Sequence, residues 1–595
     1  MQKLFLSIKQ RLLQRKSAST LQYESGNRFF TATDKANALS VYFSSVFNPL
    51  GSSCPLVTTK TYSTCPVPLI SYCDVLKQLK SVKGSLSATS DGIPSIFYKK
   101  LADHLYQPLT HIFNISLITG EVPALWKRAM VTPIPKTTCG SHLTDFRPIS
   151  ILPTSCKIME KLVTKAILEW TDKVKCIPEE QYGFIPGCST ATQLIQCSHD
   201  WVNSLTRGDC VEIIYFDLSK AFDTVDHLSL ISVLESIGIR GTFLSWFESY
   251  LGSREFSVRF QGQTSGRKPC TSGVPQGSAL SPLLFNIYTM DLPSVLKTDP
   301  CVKVAAYADD IKIYAAYSPN ERIGVQEKLK LAVQEMLNWA KKWGIKINIS
   351  KSQILKLGET TTETNTNTDY GIPLGVREKV RDLGIIVDSF LRYSPHIEAI
   401  ACNATRIMYS VLRNVHTSET TILLRLYKAY VLPVLEYCSP LWNPILKRDI
   451  VKLEKVQRPF SLIGYHMMKD LLQMPLPDTY EDRLWITKIL NHMSYDEAFQ
   501  RRHDIPFRPY KKDRTANIHC NWVYLVEWEL FNGEFIHTWE IEDQLIHLPE
   551  LDVYKEKYVQ EEERSRVFTR YHWTSSEDEE DEQMNVTNTT TTAEQ

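Results

Sequence analysis

The stretch VKVAAYADDIKIYAAY, residues 302–317, constrains the fold more than any other part of the chain. Val302, Val304 and Ala306 recur at every second position before two adjacent aspartates, and Ile311, Ile313 and Ala315 do so after them. That period predicts two half-buried strands with Asp309–Asp310 at the hairpin turn between them. Aspartate is common in turns. Two carboxylates this close nevertheless repel, and one stays protonated unless a cation neutralises them. The pair therefore asks for a third carboxylate and a metal.

The third carboxylate lies in IYFDLSKAFDTVDH, residues 214–227. A run of β-branched and aromatic residues ends at Asp217, and a turn leads into a helix. At a strand end Asp217 can face the neighbouring hairpin, and Asp217, Asp309 and Asp310 can share two Mg²⁺ ions of the kind that drive in-line phosphoryl transfer. Asp223 and Asp226 are rivals, but they fall at a helix start, where capping is the ordinary explanation. Between these elements lies SGVPQGSALSPLLFNIYTMDL, residues 272–292. Gly273, Pro275 and Gly277 predict a rigid turn whose backbone comes close to a ligand. Gln276 adds a donor and an acceptor, and the apolar helix after it backs the sheet.

At 595 residues the chain exceeds what one core supports, so several domains are expected. Its formal charge of +1 hides an asymmetry: ten acidic residues against three arginines give residues 561–595 a net −7, leaving +8 on the rest. A mildly basic body suits an anionic partner. The fourteen cysteines never form C-x-x-C, so no zinc ribbon or knuckle is expected, and reduced thiols in an intracellular protein are. No signal peptide or long apolar run is present, and no membrane association is expected. The start, MQKLFLSIKQRLLQRKSAST, is basic and amphipathic; it reads as a surface helix, with a mitochondrial presequence as the alternative.

Taken together, YFDLSKAFDTVDH, GVPQGSALSPLLFNIY and YADD resemble the palm motifs of reverse transcriptases, in particular those of non-LTR (LINE-type) retrotransposons of the jockey and chicken-repeat kind. SDGIPSIFYKKLADHL, GEVPALWKRAMVTPIPK and FRPISILPTSCKIMEKLV are similar to the finger region, in order. QYGFIPGCSTATQL and LNWAKKWGIKINISKSQIL match further blocks, and VRDLGIIVDSFLRYSPHI and LYKAYVLPVLEYCSPLWNP extend the resemblance into a thumb, over roughly residues 28–465.

The resemblance implies an α+β right-hand polymerase with an antiparallel palm sheet. An N-terminal extension (1–75) precedes fingers (76–205), palm (206–394) and thumb (395–465). It implies RNA-directed DNA polymerisation with two Mg²⁺ ions, on an RNA template, from a DNA primer or nicked target DNA, using dNTPs, in nucleus and cytoplasm. Asp217, Asp309 and Asp310 would hold the metals. Phe222 would lie under the incoming sugar and exclude a 2′-hydroxyl, which disfavours an RNA-dependent RNA polymerase. Gln276 and Gly277 would line the nucleotide and template pocket, Lys136 and Arg147 would grip the triphosphate, and Lys351 would protonate departing pyrophosphate. A telomerase or group II intron maturase shares the aspartates, but its flanking motifs are not recognisable.

Three departures stand out. An apurinic-type endonuclease, usual upstream in full elements, does not fit ahead of residue 28. Ile185 stands where the family's GFRPG block has arginine. The family-like sequence stops after LEKVQRPFSLIGYH, residues 453–466. Beyond it, a β-rich C-terminal module (466–573) contains WVYLVEWELFNGEFIHTWEIEDQLIHLPELDVYKEKY, which resembles a chromodomain core at 515–560. That resemblance would make Trp528 and Phe531 two walls of a methyl-lysine cage and a histone tail a partner; the alternative is a small aromatic core. Residues 574–595 are acidic and Thr-rich and read as disordered. The rival to the polymerase is an inactive relic that binds nucleic acid or chromatin.

Overall fold

The computed structural model describes residues 21–22, 28–48, 62–87, 89–136, 141–358, 370–415, 420–456, 485–494, 522–529 and 535–541. They divide between two compact units, Met1–Lys469 and Asp470–Gln595. The architecture is mixed α/β with mixed sheets. Among the described residues no helix is long and apolar enough to cross a membrane. The acidic tail, Phe531 and the start of the chain lie outside the described residues.

In chain order the strands of the first unit include β1 (Arg128–Pro135), β2 (Phe146–Ile151), β3 (Cys210–Ser219), β4 (Glu255–Phe260), β5 (Lys303–Tyr307), β6 (Asp310–Tyr317), β7 (Lys346–Ile347), β8 (Gln353–Leu357), β9 (Gly375–Arg377), β10 (Lys379–Asp382) and β11 (Ile385–Asp388). The central sheet runs β9-β8-β3-β6-β5, with β7 also paired to β3. It is not wholly antiparallel as expected: β9 joins β8 parallel. A parallel neighbour needs a long connection, and the Thr/Asn-rich segment after residue 357 supplies one. A second sheet holds β1 between antiparallel β2 and parallel β4, so a strand from within the expected palm span completes the sheet begun at residue 128.

The two strands around the aspartates were expected to be half-buried; both faces are covered. Ile214, Phe216, Leu218, Ile311, Ile313 and Ala315 enter one large core that reaches from Cys65 to Tyr370. The opposite face carries Val211, Ile213, Ala305 and Tyr314, packed against Leu194, Cys197 and Trp201 of the helix Thr190–Thr206. That helix starts on a capping box in which Ser189 and Thr192 exchange side-chain to backbone hydrogen bonds.

Covering both faces forces Lys312 inside. It is 3% exposed and pairs with Asp382, 5% exposed, on β10. The rings of Trp201 and Tyr215 lie 5.8 Å from its ammonium. This ion pair ties the strand that begins at Asp310 to the β10–β11 hairpin.

The second unit contains an antiparallel sheet of β12 (Trp485–Ser494), β13 (Trp522–Glu529) and β14 (Phe535–Ile541), with β13 central. The expected strand at YLVEW is β13, while TWE falls within β14 rather than at its start. β12 supplies a first strand that the sequence did not reveal. Trp528 lies on β13, opposite Ile486 and Ile536.

Removing one partner of a buried ion pair strands the other charge. Lys312→Met is expected to cost about 3–5 kcal/mol of stability, and Lys312→Met with Asp382→Leu to recover most of it, both read by chemical denaturation.

Candidate active site

The register of the central sheet sets Asp217 and Asp310 directly opposite each other. The hairpin turn consists of Ala308 and Asp309 alone, because Asp310 already pairs with Tyr307 as the first residue of β6. Only one of the two aspartates is therefore in the turn. Two-residue turns demand a positive φ, and Ala308 adopts φ +57° without being glycine.

Like charges directly opposite on a sheet destabilise it. Desolvation raises the Asp309 carboxyl above its ordinary value, and the Asp217 charge adds to the effect. The cleft walls desolvate Asp310 as well, and Asp309, Asp382 and Asp217 oppose its charge, which pushes it up to about 6. Around Asp217, the Asn348 N–H donates to its carbonyl at 2.8 Å. Lys351 Nζ approaches its Oδ2 at 3.6 Å.

Three crowded carboxylates suit a divalent cation. Among the described residues, no three His, Cys, Asp or Glu side chains are gathered tightly enough to enclose a metal by themselves. Asp217, Asp309 and Asp310 nevertheless line one cleft, and Mg²⁺, which keeps several waters and accepts phosphate oxygens, is the ion such a carboxylate set would take.

The carboxylates form part of a cleft of about 870 Å³ whose lining includes Lys136, Arg147, Phe222, Gln276 and Lys351. Phe222 stacks on Phe285, with ring centroids 4.6 Å apart and planes at 23°. Gln276 Nε2 donates to Asp223 Oδ1 at 2.8 Å. Lys136 Nζ donates to the Thr144 carbonyl at 2.8 Å. Burial lowers the pKa of Lys136, and the nearby cations Lys351, Lys220 and Arg147 lower it further. Cations that disfavour one another's charge form a ready anion site.

The two glycines of this turn differ: Gly273 lines the cleft and Gly277 does not. Gly273 has φ +83°, and a Cβ there would lie 2.7–2.9 Å from the Asp223 backbone. Its closeness serves the Phe222–Val225 segment, where Gly273 N–H donates to Val225 O and Val274 N–H to Phe222 O. Gly277, at φ +109°, packs on β2: a Cβ would meet the Ser150 carbonyl at 2.8 Å, and Ser150 N–H donates to Gln276 O at 2.7 Å. Gly277 is not among the residues lining the cleft. It fastens the turn that presents Gln276.

Asp226 caps the helix His227–Ser236, as expected, accepting from Ser229 N–H. Asp223 does not cap. It faces the cleft, and burial raises it to about 6, with the Gln276 hydrogen bond pulling the other way. Sequence reasoning also missed Lys220, whose ammonium lies 4.4 Å from the Tyr42 ring centroid, and the helix Ala32–Ser44 beside it. Tyr42, Phe43 and Phe47 line the cleft. Asn48 fastens this segment by donating Nδ2 to Thr224 O and Gly344 O. Lys220 was legible inside the quoted motif; nothing in the sequence signalled the helix. Ile185 is not part of the cleft lining. Trp528 lies on β13 of the second unit, and with Phe531 outside the described residues the expected methyl-lysine cage lies outside them as well.

Residues 134–387 match the family described as reverse transcriptase (RNA-dependent DNA polymerase). The chain is 26% identical over 483 residues to a probable RNA-directed DNA polymerase from transposon BS of Drosophila melanogaster, covering 76% of this chain and 52% of that one. It is 30% identical over 381 residues to the RNA-directed DNA polymerase from mobile element jockey of the same organism, covering 60% and 40%. The chain thus spans about half the length of the curated relatives it matches. A structure of telomerase from Candida albicans with a fragment of telomeric RNA aligns over 63% of this chain and 65% of its own at 14% identity and a TM-score of 0.31, too low to bear on the fold. The motif order, the register that opposes Asp217 and Asp310, and these relatives agree: residues 134–387 match the reverse transcriptase family, and the chain is similar to the polymerases of jockey-like non-LTR retrotransposons.

Proposed function

We propose that this chain is an RNA-directed DNA polymerase that extends a primer 3′-end on an RNA template with deoxynucleotides. The observation that carries the reading is the convergence of Asp217, Asp309 and Asp310 with Phe222, Gln276, Lys136, Arg147 and Lys351 on one cleft. The fold is then a right hand, with the central sheet as palm and the sheet of β1, β2 and β4 as part of the fingers.

Two Mg²⁺ ions held by the three aspartates would supply the Lewis acidity for attack by a 3′-hydroxyl and departure of pyrophosphate. The chain's own residues do the rest. Lys136, Arg147 and Lys351 bind the triphosphate, and Lys220 extends the same cationic wall. Lys351, close to Asp217 and exposed, donates a proton to the leaving pyrophosphate. Phe222, fixed by its stack on Phe285, leaves no room for a 2′-hydroxyl on the incoming sugar. The Gln276–Asp223 hydrogen bond fixes the amide that faces the nucleotide. Template and primer are gripped through their backbones, without base reading. No observation favours the histone-tail reading.

The direct test is primer extension on poly(rA)/oligo(dT) with dTTP. Wild type is expected to extend the primer and Asp309→Asn with Asp310→Asn not to; extension by the double variant would refute the reading. Phe222→Val is expected to lower discrimination between dTTP and UTP by about 10- to 200-fold, the range for reshaping an apolar pocket, measured as a ratio of kcat/KM values. Protonation of Asp310 removes a cation ligand, so the Mg²⁺ concentration for half-maximal extension should rise as pH falls through about 6. A Mg²⁺ requirement unchanged between pH 7.5 and 5.5 would contradict the assignment.

A further inference from the structure

The segment 180–183 lies outside the cleft lining and takes part in no step above. Its side chains and backbone nevertheless converge on the aspartate turn. We propose that Gln181 is a positioning residue that holds the Ala308–Asp309 turn, and with it the carboxylates of Asp309 and Asp310, in the arrangement a divalent cation requires. The inference rests on the polymerase reading.

Gln181 is 6% exposed. Its Oε1 accepts from the Ala308 N–H at 2.9 Å and from the Gly183 N–H at 2.8 Å. One oxygen thus clamps the first residue of the turn to the backbone two residues beyond itself. The main chain on either side docks against β5: Ala306 N–H donates to Glu180 O at 2.9 Å, and Tyr182 N–H donates to Ala306 O at 2.8 Å. Gly183 permits the approach, since a Cβ there would lie 2.4 Å from the Ala308 nitrogen. From the far side Asn286, 1% exposed on the helix Ser281–Tyr288, donates Nδ2 to the Gly183 carbonyl at 2.7 Å.

The turn needs such a brace. A non-glycine residue at positive φ is strained by roughly 1–3 kcal/mol and persists only where its surroundings fix it. The Ala308 N–H points away from the hairpin ladder, and a buried donor without a partner is costly. Gln181 supplies the partner and fixes the turn against the repulsion of Asp217, Asp309 and Asp310. Groups that hold metal ligands in place typically govern affinity or activity by 10- to 100-fold.

The test compares the full-length wild type with Gln181→Met, which keeps the shape without the acceptor, and Gln181→Glu, which keeps an acceptor. Mn²⁺ binding is followed by the EPR signal of free Mn²⁺, template–primer affinity by fluorescence anisotropy, folding by thermal unfolding, and kcat by primer extension. Gln181→Met is expected to weaken Mn²⁺ binding and lower kcat by about 10-fold or more, with template–primer affinity unchanged. Gln181→Glu is expected to bind Mn²⁺ close to wild type. The proposal is overturned if Gln181→Met binds Mn²⁺ like wild type, whatever its thermal stability, or if Gln181→Glu loses Mn²⁺ as severely as Gln181→Met. Should Gln181→Met not fold, Gln181→Asn, which withdraws the same oxygen by one methylene, carries the same expectation. A wild type that binds Mn²⁺ but extends no primer would refute the polymerase reading while the Mn²⁺ comparison still decides the role of Gln181.

Discussion

The structure depends on a repulsion: Asp217 and Asp310 face each other across adjacent strands, with Asp309 next to them in the turn. A sheet selected for stability would not place like charges there. Pairing over eight residues, from Asp310↔Asp217 to Tyr317↔Cys210, holds the strands in that register. Burial on both faces fixes it further, since a slip by one residue would exchange the faces of every side chain. Stability is thus provided along the sheet and given up at its end, where a cation can restore it.

The rest of the cleft follows from the same sheet. Lys312, two residues into β6, is held inside by Asp382, which links the carboxylate strand to the β10–β11 hairpin. β2 carries Arg147 and is stitched through Ser150 to the turn bearing Gln276. Lys136, just beyond the end of β1, shares the cleft with Lys220 and Lys351. Under the proposed function, a metal would answer the anionic floor and the phosphates of a triphosphate the cationic walls.

Much of this was legible in the sequence because it is local. Alternation revealed β5 and β6, β-branched residues revealed β3, and the aspartates declared themselves by adjacency and by strand-end position. What was not legible depends on contacts between residues far apart in the chain. Asp223 reads as a helix cap until Gln276, 53 positions later, is seen to bond it. Lys312 reads as an outward lysine until Asp382 is placed beside it. Gly277 reads as a ligand-facing glycine until Ser150 occupies the space its side chain would need. The parallel β9 follows a connection whose direction no local pattern encodes. Tyr42 and Phe47 belong to a segment that no motif in the sequence marked, and only tertiary packing brings them to the cleft.

The central claim is that the aspartate floor is destabilised without a cation and functional with one. It is tested most directly by thermal unfolding of wild type and Asp310→Asn, each with and without Mg²⁺, at pH 7.5 and pH 4. With its folded pKa raised to about 6 from 3.8, ionisation of Asp310 costs stability above about pH 6 and nothing below the unfolded value. The metal-free variant should therefore unfold at a higher temperature than metal-free wild type at pH 7.5, an advantage that disappears at pH 4, and Mg²⁺ should stabilise wild type alone. A variant less stable than wild type at pH 7.5, or one that Mg²⁺ stabilises equally, would contradict the account.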